Sequence, residues 1–349
     1  MNNNYSIPTP IIDFAPPVYA ARYNKKPFVL DGRLDKDFWA DIPFTDLFAD
    51  IEGPSRPAPR FATRAKIAWD DENVYFGAIL EGDEIWGHIT ERDAIIFFDN
   101  DFEIFIDPDS DTQQYYEFEM NAKNTFWDLL LTKAYHDNGK PVNAFDIKGI
   151  RTAVHIEGEL NNPDAKSKFW SVEVVMPFTT LMECTPKSGS RPEIGDYWRV
   201  NFSRVQWKVD VVDGQFVKRT NPQTGQPLAE DNWVWAPTGV INIHYPEMWG
   251  FVFFADENAS GNYTIPENEY RKNMLRQIYY LQSHYLEDHG TYAKTLAELN
   301  APEFPIEINM ETTSLTYVLS CKDDSGNGTL YLLSDGRCGC FDDLTKAHL

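Results

Sequence analysis

The sequence predicts a mainly β fold, an antiparallel β-sandwich carrying a small C-terminal α+β appendage. Three observations lead there. Short runs of alternating apolar and polar residues recur between turn clusters, helical periodicity is scarce before residue 257, and a long 3.6-period stretch backed by extended segments follows it. The 349 residues are many for one ordinary domain, so the reading is a sandwich over 1–256 and an appendage over 257–349.

Segment 28–39, FVLDGRLDKDFW, opens extended, turns at Asp31-Gly32 and ends in a short amphipathic stretch closed by Phe38 and Trp39. Beyond a Pro-rich loop at 54–59, strands at 63–69 and 73–80 flank the turn cluster Asp70-Asp71-Glu72-Asn73. The pattern returns at 101–107 (DFEIFID), the turn PDSDTQ and 115–121 (YYEFEMN). Extended runs at 150–157 and 168–176 flank the polar loop Asn161-Asn162-Pro163-Asp164, and others lie at 198–207 and 250–254. After a polar linker at 257–266 the chain reads helical, with Met274, Ile278, Leu281 and Tyr285 at helix spacing and His289-Gly290 as its stop. Extended segments at 315–321 and 329–333, joined by DDSGNG, complete the appendage.

Alternation along a strand sorts side chains by face. Phe102, Ile104 and Ile106 point one way, while Asp101, Glu103, Phe105 and Asp107 point the other. If 115–121 pairs with this strand, Glu117, Glu119 and Asn121 share a face opposite Tyr116, Phe118 and Met120. The polar face then gathers carboxylates, which repel one another unless they meet cations, hydroxyls or water. Trp69, Trp170 and Trp198 lie among aliphatic residues and read as core. Phe97, beside Ile95, Ile96 and Phe98, reads equally as core or as a ligand contact. So do Trp233 and Trp235, which sit between the polar run Ala229-Glu230-Asp231-Asn232 and Pro237. Trp207, three residues after Arg204, suits a cation–π pair or a binding platform. Arg204 shares its strand face with Val200 and Phe202, so the strand either bulges there or Arg204 marks its solvent end.

Composition narrows the ligands. Asp and Glu number 54 against 31 Lys and Arg, a net charge of −23, so nucleic acid and acidic membrane surfaces would be repelled. Neutral hydroxylic ligands and divalent cations fit better. The loop Asp107-Pro108-Asp109-Ser110-Asp111 places oxygens at alternate positions, which suits a structural calcium through Asp107, Asp109 and Asp111, or a turn built on Asp side chains. No other cofactor is expected. Cys321 could pair with Cys338 or Cys340 in an oxidising compartment, and no His near the CGC triplet completes a zinc set. No apolar run is long enough to cross a bilayer, and residues 1–10 carry no visible signal peptide. GxSxG, P-loop, HExxH and GxGxxG patterns are absent.

In order and spacing, LDGRLDKDFW at 30–39, AKIAWDDENVYFGAIL at 65–80, FFDNDFEIFIDP at 97–108, YYEFEMN at 115–121, WRVNFSRVQW at 198–207 and NWVWAP at 232–237 resemble the family 9 carbohydrate-binding modules and their DOMON-like relatives. The resemblance spans the N-terminal 250 residues. It implies an immunoglobulin-like or DOMON-like jelly-roll sandwich, extracellular or periplasmic, that binds glycan or oligosaccharide ends without catalysis. It further implies a sugar clamped between two aromatic rings, Phe97 and either Trp233 or Trp235, with Glu103 and Asn121 as hydroxyl partners; Arg204 and Trp207 join them as candidate binding residues. Two positions depart from the family pattern: Phe97 stands for a Trp, and Glu119 for a sugar-binding Arg that Arg92 or Arg204 could replace. The alternative is a glycoside hydrolase using Glu103 with Glu117 or Glu119 as paired carboxylates.

Overall fold

Thirteen strands form one continuous curled sheet in the computed structural model, which describes residues 6–341. In chain order they are β1 (Val18–Tyr23), β2 (Ala49–Asp50), β3 (Thr63–Trp69), β4 (Asn73–Glu81), β5 (Asp101–Asp107), β6 (Gln113–Asn121), β7 (Phe126–Lys133), β8 (Pro141–Val142), β9 (Arg151–Glu157), β10 (Phe169–Pro177) and β11 (Tyr197–Gln206). A separate hairpin of β12 (Val209–Val212) and β13 (Gln215–Lys218) precedes the last two, β14 (Asp231–Val234) and β15 (Gly250–Ala255). The sheet runs β8-β7-β6-β5-β11-β15-β1-β3-β4-β10-β9, with β14 between β11 and β2. Pairing is antiparallel except at β1, which lies parallel to both β15 and β3 and joins the two walls of the sandwich. The mainly β sandwich predicted from the strand periodicity is the fold observed.

The core lies between those walls. Phe102, Ile104 and Ile106 of β5 and Tyr116, Phe118 and Met120 of β6 meet Ile67, Phe76, Leu80, Val172 and Val174 from the opposite wall, all buried. Each such side chain contributes about 1.5–3 kcal/mol on burial. The expected facial sorting of β5 and β6 is therefore realised.

Segment 28–42 covers the outer face of β3, β4 and β10, where Leu34, Phe38 and Trp39 pack on Ala68, Tyr75 and Val175. One buried carboxylate holds it. Glu173 accepts from the N–H of Asp31 (3.0 Å), the N–H of Gly32 (2.8 Å) and Trp39 Nε1 (2.7 Å), and pairs with Lys36 at 2.8 Å. Gly32 sits at φ +79°, and a Cβ there would lie 2.4 Å from the backbone N of His155, so only glycine lets this turn rest on β9.

The helix Glu267–His289 ends at Gly290, which is left-handed at φ 71°. Of the expected Met274, Ile278, Leu281 and Tyr285, Ile278 is buried and Leu281 and Tyr285 pack against the same apolar cluster half-buried, while Leu275, Tyr279 and Gln282 complete the buried face. The helix packs on a four-stranded sheet of β16 (Asn309–Thr312), β17 (Tyr317–Lys322), β18 (Thr329–Leu333) and β19 (Cys338–Cys340). The same apolar cluster includes Ile7, Val240, Tyr245 and Met248, so the appendage shares a core with the loop before β15. Buried polar contacts reinforce the join: Arg199 pairs with Glu269 at 3.3 Å, and Tyr279 donates to Asp137 at 2.6 Å. All four cysteines are unpaired. Among the described residues no helix is long and apolar enough to cross a membrane.

Candidate functional site

The pleat that sends Phe102, Ile104 and Ile106 into the core turns the other face of β5 outward, and β6, β7 and β11 follow in register. Glu103 lies opposite Glu119 on β6 and opposite Ser203 on β11, while Glu119 faces Trp127 on β7. These residues, with Phe105, Glu117, Val205 and Asn232, floor a groove of about 430 Å³. Its walls are Phe97 on the helical turn Ile96–Phe98, Tyr135 after β7, and the loop Ile241–His244. The volume falls within the roughly 300–1,000 Å³ common for small-molecule pockets. The opposite side of the same loop packs on the appendage through Val240, Tyr245 and Met248, so the C-terminal unit buttresses one wall.

Four aromatic rings line the groove: Phe97, Phe105, Trp127 and Tyr135. Trp127 Nε1 has no hydrogen-bond partner, leaving a donor at a cavity-lining ring. His244 is held edge-on against Tyr135 at 4.6 Å, and its Nδ1 lies 2.9 Å from the Tyr115 hydroxyl. Burial pushes its pKa down to about 3, so the ring is neutral.

The groove's charge is all of one sign. Glu103, Glu117 and Glu119 are buried along it, with the fully buried Asp101 two residues before Glu103 on the same face of β5. Desolvation raises each pKa, to about 7 for Glu103 and about 8 for Glu117. Mutual repulsion adds to burial for Glu117, Glu119 and Asp101. Few donors answer them. The N–H of Val205 donates to Asp101 at 3.2 Å, the N–H of Phe97 donates to Glu119 at 3.1 Å, and Ser203 bonds Glu103. Asp101 Oδ2 and Glu117 Oε2 have no partner.

The residues expected from sequence divide between groove and scaffold. Phe97 and Glu103 line the groove. Trp233 and Trp235 do not: both rings point into the main core, where Trp235 lies 5.8 Å from Phe202 and 6.4 Å from Tyr19. The expected clamp of Phe97 against either Trp is therefore replaced by other rings, because β14 pairs with β11 and turns Asn232, not Trp233, toward the cavity. Asn121 is also structural, donating to Ile89 O (3.0 Å) and Asp99 (2.9 Å) while accepting from the N–H groups of Lys123 and Thr125.

Arg204 stands neither at a bulge nor at a solvent end. It is buried on the core side, donating to Gln206, Thr63 and the carbonyl of Glu81, and burial lowers its pKa to about 9. Trp207 packs with Trp86 and behind Phe97, whose carbonyl accepts its Nε1–H at 2.9 Å, and its cation–π partner is Lys218 at 3.2 Å, not Arg204. Arg92, the other candidate for the missing Arg, is tied to Asp128 at 2.5 Å and Asp146 at 2.8 Å.

Asp107, Asp109 and Asp111 each offer an oxygen within 4.8 Å of the others. Most of that capacity is already engaged. Asp107 accepts from the N–H groups of Ser110 (3.0 Å) and Thr112 (2.9 Å), and Asp111 accepts from the N–H of Gln113 (2.7 Å) and pairs with Arg337 at 3.0 Å. Hydrogen bonds to its own Asp side chains shape the loop, and Arg337 ties it to the start of β19.

Sequence reading missed Trp127, Tyr135, Ser203, Asn232 and His244. Trp127 carried a usable signal, since FWDLLLTK at 126–133 is a strand-length run one turn after YYEFEMN. Tyr135 and His244 carried none, because the two positions lie 109 apart in sequence and their rings meet only in the folded chain.

Comparison with known proteins agrees with the architecture. No curated protein matches the chain significantly. A Bacteroides uniformis protein described as a candidate carbohydrate-binding protein aligns with a TM-score of 0.51 at 14% identity, over 69% of this chain and 100% of its own. A family 9 carbohydrate-binding module from Caldicellulosiruptor kristjanssonii aligns with a TM-score of 0.43 in its cellotriose complex (15% identity, 71% of this chain and 99% of that one) and 0.41 in its glucose complex (15%, 70% and 99%). Residues 30–195, which contain three strands of the groove floor, β5, β6 and β7, match the family model described as carbohydrate family 9 binding domain-like.

Proposed function

We propose that this protein binds carbohydrate without catalysis, taking a glycan or oligosaccharide end into the groove over β5, β6, β7 and β11. The observation that carries the reading is the composition of one cavity: aromatic rings of Phe97, Phe105, Trp127 and Tyr135 beside the acceptors Glu103, Glu117 and Glu119, the amides Asn232 and Asn242, and Ser203. Rings meet the apolar C–H faces of a sugar, and carboxylates and amides order its hydroxyls. The match of residues 30–195 to a carbohydrate-binding family model supports the same ligand class. Phe97 and Trp127 take the part of the aromatic contacts, and the family's extracellular or periplasmic setting follows as part of the proposal.

The test is calorimetric titration with plant and microbial oligosaccharides. Affinity between millimolar and micromolar for at least one of them is expected, and no binding across the panel would defeat the reading. Hydrolysis is less well served. Glu103 and Glu119 are cross-strand neighbours rising from one floor, whereas acid and base must flank a glycosidic bond. Turnover of a polysaccharide that disappears in Glu103→Gln would reverse that preference.

A further inference from the structure

The groove floor gathers more carboxyl groups than its own donors can satisfy. Asp101, Glu103 and Glu119 are 0%, 6% and 1% exposed and each presents an oxygen within 4.8 Å of the other two. The largest charge effects on these three and on Glu117 come from other carboxylates. A second observation is independent of that clustering: Glu117, 6% exposed and lining the cavity, has an oxygen with no hydrogen-bond partner, as does the buried Asp101 two residues before Glu103 on the same face of β5. Ionising these groups uncompensated costs several kcal/mol each, so they keep their protons unless a cation displaces them and supplies the missing positive charge.

We propose that Asp101, Glu103 and Glu119, with Glu117 beside them, bind one divalent cation of the calcium class at the base of the groove. Three oxygens with this spacing can share a centre at the roughly 2.3–2.6 Å typical of calcium. The donor set is all carboxylate, which selects hard cations over zinc or copper. The one His in the cavity has its Nδ1 engaged by Tyr115. A protonated amine on a ligand could meet Glu117 and Glu119 from the cavity but not Asp101, which is fully buried and lines none of it. A bare ion reaches all three. Its remaining coordination positions would face the cavity, where vicinal hydroxyls could complete them. The site is distinct from the turn at Asp107, Asp109 and Asp111, and its occupation does not require that the groove bind sugar.

The experiment is calorimetric titration of the chelator-treated full chain with calcium chloride, with no glycan present. One calcium per chain is expected, with a melting temperature that rises with calcium concentration. The double variant Glu103→Gln/Glu119→Gln should lose tenfold or more in affinity, while Asp109→Asn keeps it. Absence of binding overturns the proposal, and so does binding that survives the double variant or vanishes in Asp109→Asn. Should the double variant fail to fold, terbium emission sensitised by the indole of Trp127 in the wild type decides: calcium-displaceable emission supports the site, and its absence removes it. Glycan binding unchanged in chelator, with no calcium taken up, would leave the carbohydrate reading standing and overturn this one.

Discussion

Two groups of carboxylates border β5, and they differ in their partners more than in their number. At its start, Asp101 and Glu103 join Glu117 and Glu119 of β6 at an open groove, with two oxygens unpartnered and no Lys or Arg among the described lining residues. At its end, Asp107 and Asp111 are taken up by three backbone N–H groups and by Arg337, and the loop they shape docks the C-terminal sheet. Burial raises pKa values in both groups, since Asp107 also stands near 7. What separates the two groups is unsatisfied hydrogen-bonding capacity, which only the first leaves at the groove. The comparison with the tryptophans runs the same way: Trp233 and Trp235 are held in the core, whereas Trp127 leaves its N–H free at the groove.

The largest expected effect falls on the core side of that contrast. Trp235→Ala should destabilise the fold by about 3–5 kcal/mol, the range for emptying a large aromatic site, as read by denaturant unfolding. A near-normal midpoint would mean that Trp235 is a surface contact after all.

Next in size is the pH response of the groove. Folded Glu103 and Glu117 hold protons up to about pH 7 and 8, whereas in the unfolded chain they ionise near their ordinary 4.5. The fold therefore binds more protons than the unfolded chain through that window, and in chelator its stability should fall as pH rises from about 4.5 toward 8. Asp107 contributes in the same direction. Glu117→Gln should flatten the slope, and an unchanged slope in that variant would place the response elsewhere. The smallest effect belongs to the satisfied cluster, where Arg337→Ala removes a partly exposed ion pair and should cost about 1 kcal/mol or less.

Much of this was legible along the chain because strand alternation is a local property. The facing of Phe102, Ile104 and Ile106 against Asp101, Glu103 and Phe105 follows from the pleat alone, and so does the carboxylate face of β6. The NWVW segment misled because its polar approach and following proline suggest a loop, while pairing with β11 makes 231–234 a strand with Asn232 outward and Trp233 inward. Arg204 looked out of place on an apolar face until Gln206, Thr63 and the carbonyl of Glu81 supplied its acceptors. The groove's far wall, with Tyr135 against His244, depends on a loop braced by the appendage, and no local pattern encodes that.

The most direct test of the central claim is the affinity of Trp127→Ala for the best-bound oligosaccharide, measured beside its unfolding midpoint. A sugar-binding groove on this face predicts a loss of about tenfold or more in affinity, equivalent to about 1.4 kcal/mol, with the fold intact. Wild-type affinity in a folded Trp127→Ala protein would contradict it.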